Sequence, residues 1–333
     1  MSDTILRLED LRAEFLTPDG VVKAVNGVSL SLRRGATLAL TGESGSGKSS
    51  IALSILNLLP HPGRIASGRI FFNDTDLLGL TNEEMRHVRG RQIGMVFQDP
   101  ATGLNPVLSV GQQVEEIITT HLSVSKREAK HRSLEVLAQV GLPDPDLVAR
   151  RHPFQLSGGM AQRVMIAIAT ALNPEVLILD EPTSALDVTV QAAILEDISQ
   201  LQQRHGTSII LITHDLGVVA QMAADVAVIY AGAVAEYGPV APVFQGPRHP
   251  YTWSLLASRP RWDQEAHSRL PAIRGTPPSL IDLPDECPFL PRCPKATLVC
   301  RNDPSPALQP IGEASHLVAC YNPMFQADER AAG

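Results

Sequence analysis

Eight residues restrict this chain more than any others. Gly42-Glu43-Ser44-Gly45-Ser46-Gly47-Lys48-Ser49 reads G-x-x-x-x-G-K-S, a P-loop. Its flanks fit as well. The apolar run Thr37-Leu38-Ala39-Leu40-Thr41 predicts a buried strand before it, and a helix is predicted from Lys48 to about Leu59 after it. Glycines, lacking a Cβ, let backbone N–H groups curl around a phosphate. The start of the following helix adds its partial positive charge. In such a loop Lys48 reaches the β- and γ-phosphates and the Ser49 hydroxyl meets Mg²⁺. Gly42, Ser44, Gly45, Ser46, Gly47 and Ser50 complete the cradle. A strand that feeds it belongs to an α/β sheet with its ligand at the C-terminal edge.

The other strand candidates agree with that class. Ile93–Phe97, Val176–Leu179, Ser208–Thr213 and Val226–Tyr230 are short, rich in β-branched residues and bounded by polar or turn residues. Such runs suit a parallel sheet covered on both faces. Ile5–Leu11 and Val21–Leu32, divided by Pro18-Asp19-Gly20, suit antiparallel strands. Helical spacing dominates from Gln98 to Gln155, where Val110, Val114, Ile117 and Ile118 share one face, so a helical subdomain is placed at about 99–165. The run Val176–Leu179 ends in Asp180-Glu181. Two carboxylates thus reach the ligand edge of the sheet. Asp180 suits the Mg²⁺ shell, and Glu181 suits a general base for an attacking water.

Composition narrows the class further. Lys plus Arg is 28 and Asp plus Glu is 35, a net charge of −7, which makes a poor general binder of nucleic acid. No uninterrupted apolar run approaches the ~18 residues of a membrane span. The N-terminus carries Asp3, Glu9 and Asp10 and lacks the basic start of a signal peptide. A cytosolic protein is expected, unless a partner holds it at a membrane. Residues 259–333 contain 12 of the 26 prolines, so a nucleotide-handling unit is placed at 1–257 and a small C-terminal region at 258–333. All four cysteines, Cys287, Cys293, Cys300 and Cys320, lie in that region. In a reducing compartment this grouping suggests a metal or cluster site rather than disulfides. The spacing C-x5-C-x6-C-x19-C leaves Zn²⁺ and an iron–sulfur cluster both open. His316 is read as an alternative ligand or a surface residue.

Further motifs, taken in order, point to a family. Leu156-Ser157-Gly158-Gly159-Met160-Ala161-Gln162-Arg163 resembles the signature motif of ATP-binding cassette (ABC) ATPases, although Met160 replaces the commoner Gln. Gln98 resembles the Q-loop residue, Ser184-Ala185-Leu186-Asp187 the D-loop and His214 the switch histidine. The resemblance covers about residues 5–240. It implies a P-loop NTPase fold: a RecA-like core with an antiparallel β subdomain and a helical subdomain. It further implies that Gln98 senses Mg²⁺ or the water and links to membrane subunits, and that His214 steadies the γ-phosphate. Phe15, the only aromatic before the P-loop, is expected to stack on adenine. Ser157, Gly158 and Gly159 offer a second anion surface at a helix start. The resemblance implies that they cover the γ-phosphate of ATP held by a partner chain in a head-to-tail dimer.

The last third narrows the subfamily. Tyr237-Gly238-Pro239, Pro247-Arg248-His249-Pro250-Tyr251-Thr252 and Gly275-Thr276-Pro277-Pro278 resemble the ATPases of oligopeptide and dipeptide permeases. Read without that likeness, His249-Pro250-Tyr251 predicts only a rigid, partly extended segment with two polar side chains. The resemblance implies an ATP-hydrolysing importer subunit, peripheral on the cytoplasmic face of the membrane. Its implied partners are two integral permease subunits, an extracytoplasmic substrate-binding protein, and a second related ATPase or a second copy of itself. Related systems carry nickel or other solutes, and a soluble ABC ATPase outside transport is the alternative class. For the cysteines, the likeness favours a structural [4Fe–4S] cluster over Zn²⁺.

Overall fold

The strand Val176–Asp180 is buried at all five residues, as a strand covered on both faces must be. Thr37–Thr41 and Ser208–Ile212 show the same pattern. The structure is a computed structural model that describes residues 3–184, 186–258 and 273–325. Ala185 of the expected D-loop lies outside the described residues. Along the chain the strands are β1 (Thr4–Thr17), β2 (Gly20–Arg33), β3 (Thr37–Thr41), β4 (Gly63–Phe72), β5 (Thr75–Asp76) and β6 (Ile93–Val96). They continue with β7 (Val176–Asp180), β8 (Ser208–Ile212), β9 (Asp225–Tyr230), β10 (Ala233–Pro239), β11 (Gln309–Ile311) and β12 (Glu313–Val318).

The chain divides into two compact units. One comprises Met1–Ile5, Leu32–Thr37 and Asp76–Ile212. Here β6, β7 and β8 pair in parallel, with Ile93 opposite Val176 and Val176 opposite Ser208. Helices Val110–His121, Lys126–Gln139, Pro145–Arg150 and Gly158–Thr170 fill the stretch whose periodicity is helical. Ser109 and Gln112 form a capping box at the first of them. Arg163 on helix Gly158–Thr170 pairs with Asp197 on helix Val188–His205, which ties the two together.

The other unit comprises Leu6–Ser31, Leu38–Thr75 and Thr213–Gly333. One sheet has the order β2-β1-β4-β5, with β1 antiparallel to β4 from Leu6 opposite Phe72 to Phe15 opposite Gly63. In a second sheet β3 lies parallel to β9, and β10, β12 and β11 follow as antiparallel neighbours. The helix after the P-loop stops at Ile55, earlier than expected, because Asn57 takes a left-handed φ of 50° soon after it. Among the described residues no helix is long and apolar enough to cross a membrane.

The C-terminal segments differ from their sequence reading in two places. In His249-Pro250-Tyr251 only His249 is extended; Pro250 and Tyr251 open helix Pro250–Ala257. Proline at the first helical position suits the helix φ, and His249 Nδ1 accepts the Tyr251 N–H at 3.0 Å. Both side chains are buried. His316 is also buried, not a surface residue, with Nε2 2.6 Å from Glu236 Oε1. The Glu236 carboxylate also accepts the N–H groups of Arg248 (2.7 Å) and His249 (2.9 Å). One buried acid thereby joins β10, β12 and the start of the helix.

Burial lowers the His249 pKa from 6.5 to about 4, against the opposing pull of Glu236. The unfolded ring binds a proton near 6.5 and the folded ring only near 4. Between those values the unfolded state holds more protons, so stability falls as pH drops, by up to about 3 kcal/mol across the window. His249→Asn keeps a capping acceptor and removes the titration. Denaturant midpoints measured from pH 7 to pH 4 should therefore fall less steeply in the variant. Equal slopes would show that this ring does not carry the acid sensitivity.

Candidate active site

The P-loop joins β3 to helix Lys48–Ile55. Gly42 and Gly47 have φ of +144° and +100°, and a Cβ on either would lie 2.1 Å from a backbone oxygen, that of Ile229 or of Ala24. Gly45, with φ +76°, has nothing within 4 Å of such a Cβ. The first two glycines therefore seat the loop on its neighbours, and the third leaves its mouth open. Lys48 is buried, and its Nζ donates to the carbonyls of Gly42 and Glu43, both at 2.9 Å, and to Ser46 Oγ at 3.4 Å. The ammonium thus stands at the centre of the turn. Ser46 is buried, Ser44 is exposed, and Ser49 and Ser50 occupy the first helical turn, half-buried. Phe15 is half-buried, its ring so close to Gly63 that a Cβ there would come within 2.7 Å.

Glu43 makes contacts that its sequence position does not suggest. Its N–H donates to Tyr251 Oη at 2.8 Å, and its carboxylate takes two hydrogen bonds from Arg292. Neither partner carries a signal as a nucleotide-site residue. Both lie in the last third of the chain, where the motifs show no phosphate chemistry.

In the first unit, Asp180 is buried at the end of β7. Glu181 follows with φ 49° and donates its N–H to Ile212 O at 3.0 Å. A left-handed glutamate is uncommon and is held here by the turn into Pro182. Ser157 caps helix Gly158–Thr170, its Oγ accepting the Met160 N–H at 3.3 Å. A Cβ on Gly159 would sit 2.9 Å from Val190, so this helix start packs close to helix Val188–His205. Asp187 caps that second helix, accepting from Thr189 and Val190. Gln98, Ser157, Gly158 and Glu181 line one cavity of about 380 Å³. Residues from three motifs far apart in sequence, those of Gln98, of Ser157-Gly158 and of Glu181, are thereby brought together. His214 belongs to the second unit, exposed, just before the capping Asp215 of helix Leu216–Met222.

The four cysteines converge on a narrow cavity of about 10 Å³, room for roughly one water, beside His249 and Phe289. Burial raises the Cys287 thiol, pushes Cys293 up to about 11 and Cys320 up to about 12. Among the described residues no group of three or more His, Cys, Asp or Glu is arranged to hold a metal. The expected cluster site is therefore not assembled in this structure.

Residues 25–184 match the ABC transporter family, and residues 235–300 match the oligopeptide/dipeptide transporter C-terminal region. The dipeptide transport ATP-binding protein DppD of Bacillus subtilis (strain 168) is 48% identical over 96% of this chain and 95% of its own. The chain belongs to the ABC transporter ATP-binding family. This cassette is also 51% identical to the oligopeptide transport ATP-binding protein OppD of Bacillus subtilis (strain 168), over 84% of this chain and 78% of that protein. The OppD of Salmonella typhimurium is 46% identical over 97% and 95%. Among solved structures, the dimeric MJ0796 ABC transporter cassette is 28% identical, with a TM-score of 0.64 over 71% of this chain and 99% of that one. The post-hydrolysis dimer of that cassette, bound to ADP and Pi, gives 0.65 over the same shares. The fold is accordingly the ABC cassette, a P-loop NTPase with an antiparallel sheet and helical parts.

The three loop glycines differ in a way that mutation can read. Gly45→Ala meets open space and should cost about 1 kcal/mol, the usual penalty of a left-handed alanine. Gly47→Ala drives a methyl into a backbone carbonyl and should cost roughly 3 kcal/mol or more. Thermal unfolding should leave the Gly45 variant within a few degrees of the parent and displace the Gly47 variant far below it. Matching midpoints would contradict the packing described.

Proposed function

We propose that this cassette hydrolyses ATP to drive the import of di- and oligopeptides, as a peripheral subunit on the cytoplasmic face of a membrane. The near full-length likeness to dipeptide and oligopeptide transport ATP-binding proteins carries the reading, since it includes the C-terminal region as well as the cassette. Those relatives favour peptides over nickel and transport over a soluble ABC ATPase. The partners are two integral permease subunits, a substrate-binding protein outside the membrane, and a second cassette, either a related subunit or another copy.

In this reading Gly42, Ser44, Gly45, Ser46, Gly47, Lys48, Ser49 and Ser50 surround the ATP phosphates, and Phe15 stacks on adenine. Ser49, Gln98 and Asp180 would hold Mg²⁺, which would supply positive charge to offset that of the phosphates. The oxygen of a water attacks the γ-phosphorus in line as its bond to ADP breaks, and Glu181 takes the water's proton. His214 steadies the γ-phosphate, and Gln98 links the site to the permeases. Ser157, Gly158 and Gly159 cover ATP held by the partner cassette, and the Asp187 loop lies beside that interface. Glu181→Gln keeps the shape and loses the base. It should retain ATP binding and lower turnover by about 100-fold or more. Turnover close to that of the parent, measured on the purified assembly, would overturn the role of Glu181.

The same proposal places a structural [4Fe–4S] cluster on Cys287, Cys293, Cys300 and Cys320, with Zn²⁺ as the alternative. Four thiols around one cavity are a suitable donor set, and a bound cation would reverse the burial penalty on their thiolates. Anaerobically purified protein should absorb near ~400 nm and hold iron and sulfide at about four each per chain. One zinc per chain would make the site a structural zinc. Metal-free protein with a folded C-terminal region would reject both.

A further inference from the structure

Glu43 is the second residue of the P-loop, and the far end of the chain supplies its surroundings. Arg292 Nη1 donates to Glu43 Oε2 at 2.7 Å and Nη2 donates to Oε1 at 3.0 Å, a parallel two-point pair. The Arg292 side chain is only 4% exposed and that of Glu43 is 25% exposed. The guanidinium is fixed on its other edges too. Its Nε donates to Arg274 O at 2.9 Å, and Nη1 also donates to Tyr230 Oη at 3.1 Å. Beneath it Tyr230, Tyr251 and Phe289 pack into one buried cluster, with ring centroids 4.5–5.5 Å apart. The Tyr251 hydroxyl in that cluster takes the Glu43 N–H at 2.8 Å. Backbone and side chain of one loop residue are therefore both held by the C-terminal segments.

A carboxylate is an odd resident of a loop that receives a polyphosphate. Its charge repels the ligand unless a cation cancels it, and low exposure limits the help from screening. Arg292 supplies that cation in a geometry that lysine does not reproduce. Resting on the reading of Gly42–Ser49 as the ATP site, we infer that Arg292 and Tyr251 are positioning residues for nucleotide binding. Arg292 cancels the charge of Glu43, and the two together hold the loop in its receiving shape.

The test is MgATP affinity and turnover in the full-length chain assembled with its partners. Arg292→Met should raise Kd and KM for MgATP by about tenfold or more, the scale of one uncompensated charge, with kcat changed less than about twofold. Arg292→Lys should recover part of the affinity. The double variant Glu43→Gln with Arg292→Met should return to within about threefold of the parent, because the charge that needed cancelling is gone. Tyr251→Phe keeps the ring and loses the acceptor, and should weaken affinity by about threefold or more. Parental affinity in Arg292→Met would overturn the inference. A double variant as weak as Arg292→Met would also overturn it, since Arg292 would then act only by holding the C-terminal region folded. Parental affinity in Tyr251→Phe would remove Tyr251 from it. Lys48→Ala separates the two readings: loss of binding there upholds the P-loop as the ATP site, while parental affinity would bring down that assignment and this inference together.

Discussion

A loop that presents backbone N–H groups to an anion has few left to spend on holding itself together. Its shape must be imposed from outside, and much of the second unit is organised around that need. Gly42 is pressed onto the carbonyl of Ile229 and Gly47 onto that of Ala24. The Ser46 carbonyl accepts from Gly232, and Lys48 gathers the carbonyls of Gly42 and Glu43 from within. These contacts use an oxygen or a Cα of the loop, while the Glu43 N–H goes to Tyr251 Oη and the Ser46 N–H to the Glu43 carbonyl. Substitution at the seated glycines is therefore a packing problem before it is a binding problem.

A second constraint lies below. Glu236 is fully buried, and a lone carboxylate there would be prohibitively unfavourable. Two backbone N–H groups and His316 satisfy it, and in doing so they fix where β12 and helix Pro250–Ala257 begin relative to β10. That helix carries Tyr251, so the acid acts on the loop through one intermediate element. Polar groups here do the register work that apolar patterning does in β7 and β8.

This division explains what was legible in the sequence. β3, β7, β8 and β9 are continuous apolar runs, and their positions follow from burial alone. The P-loop, the Asp180-Glu181 pair and the signature stand out because backbone chemistry restricts their letters. β10 and β12 escape that reading because their key inward residues are Glu236 and His316, which break the apolar pattern while being buried. β4 escapes it because Gly63, Gly68, Arg64 and Arg69 dilute its apolar positions. The helix at Pro250 leaves little trace because a proline suits both an extended segment and a first helical position, and His249 before it is extended in either case. The partners of Glu43 were beyond reach for another reason: Arg292 is 249 positions away, and nothing local marks either residue as half of a pair.

That distance has a consequence for how the molecule comes into being. Lys48 and its loop leave the ribosome early, yet Ile229, Gly232, Tyr251 and Arg292, which shape the loop, all follow in the last third of the chain. At roughly 5–20 residues per second, the interval from residue 49 to residue 292 is roughly 10–50 s. Throughout it the motif exists as letters without its three-dimensional form. The phosphate loop, among the first parts of this protein to be made, is among the last to be finished.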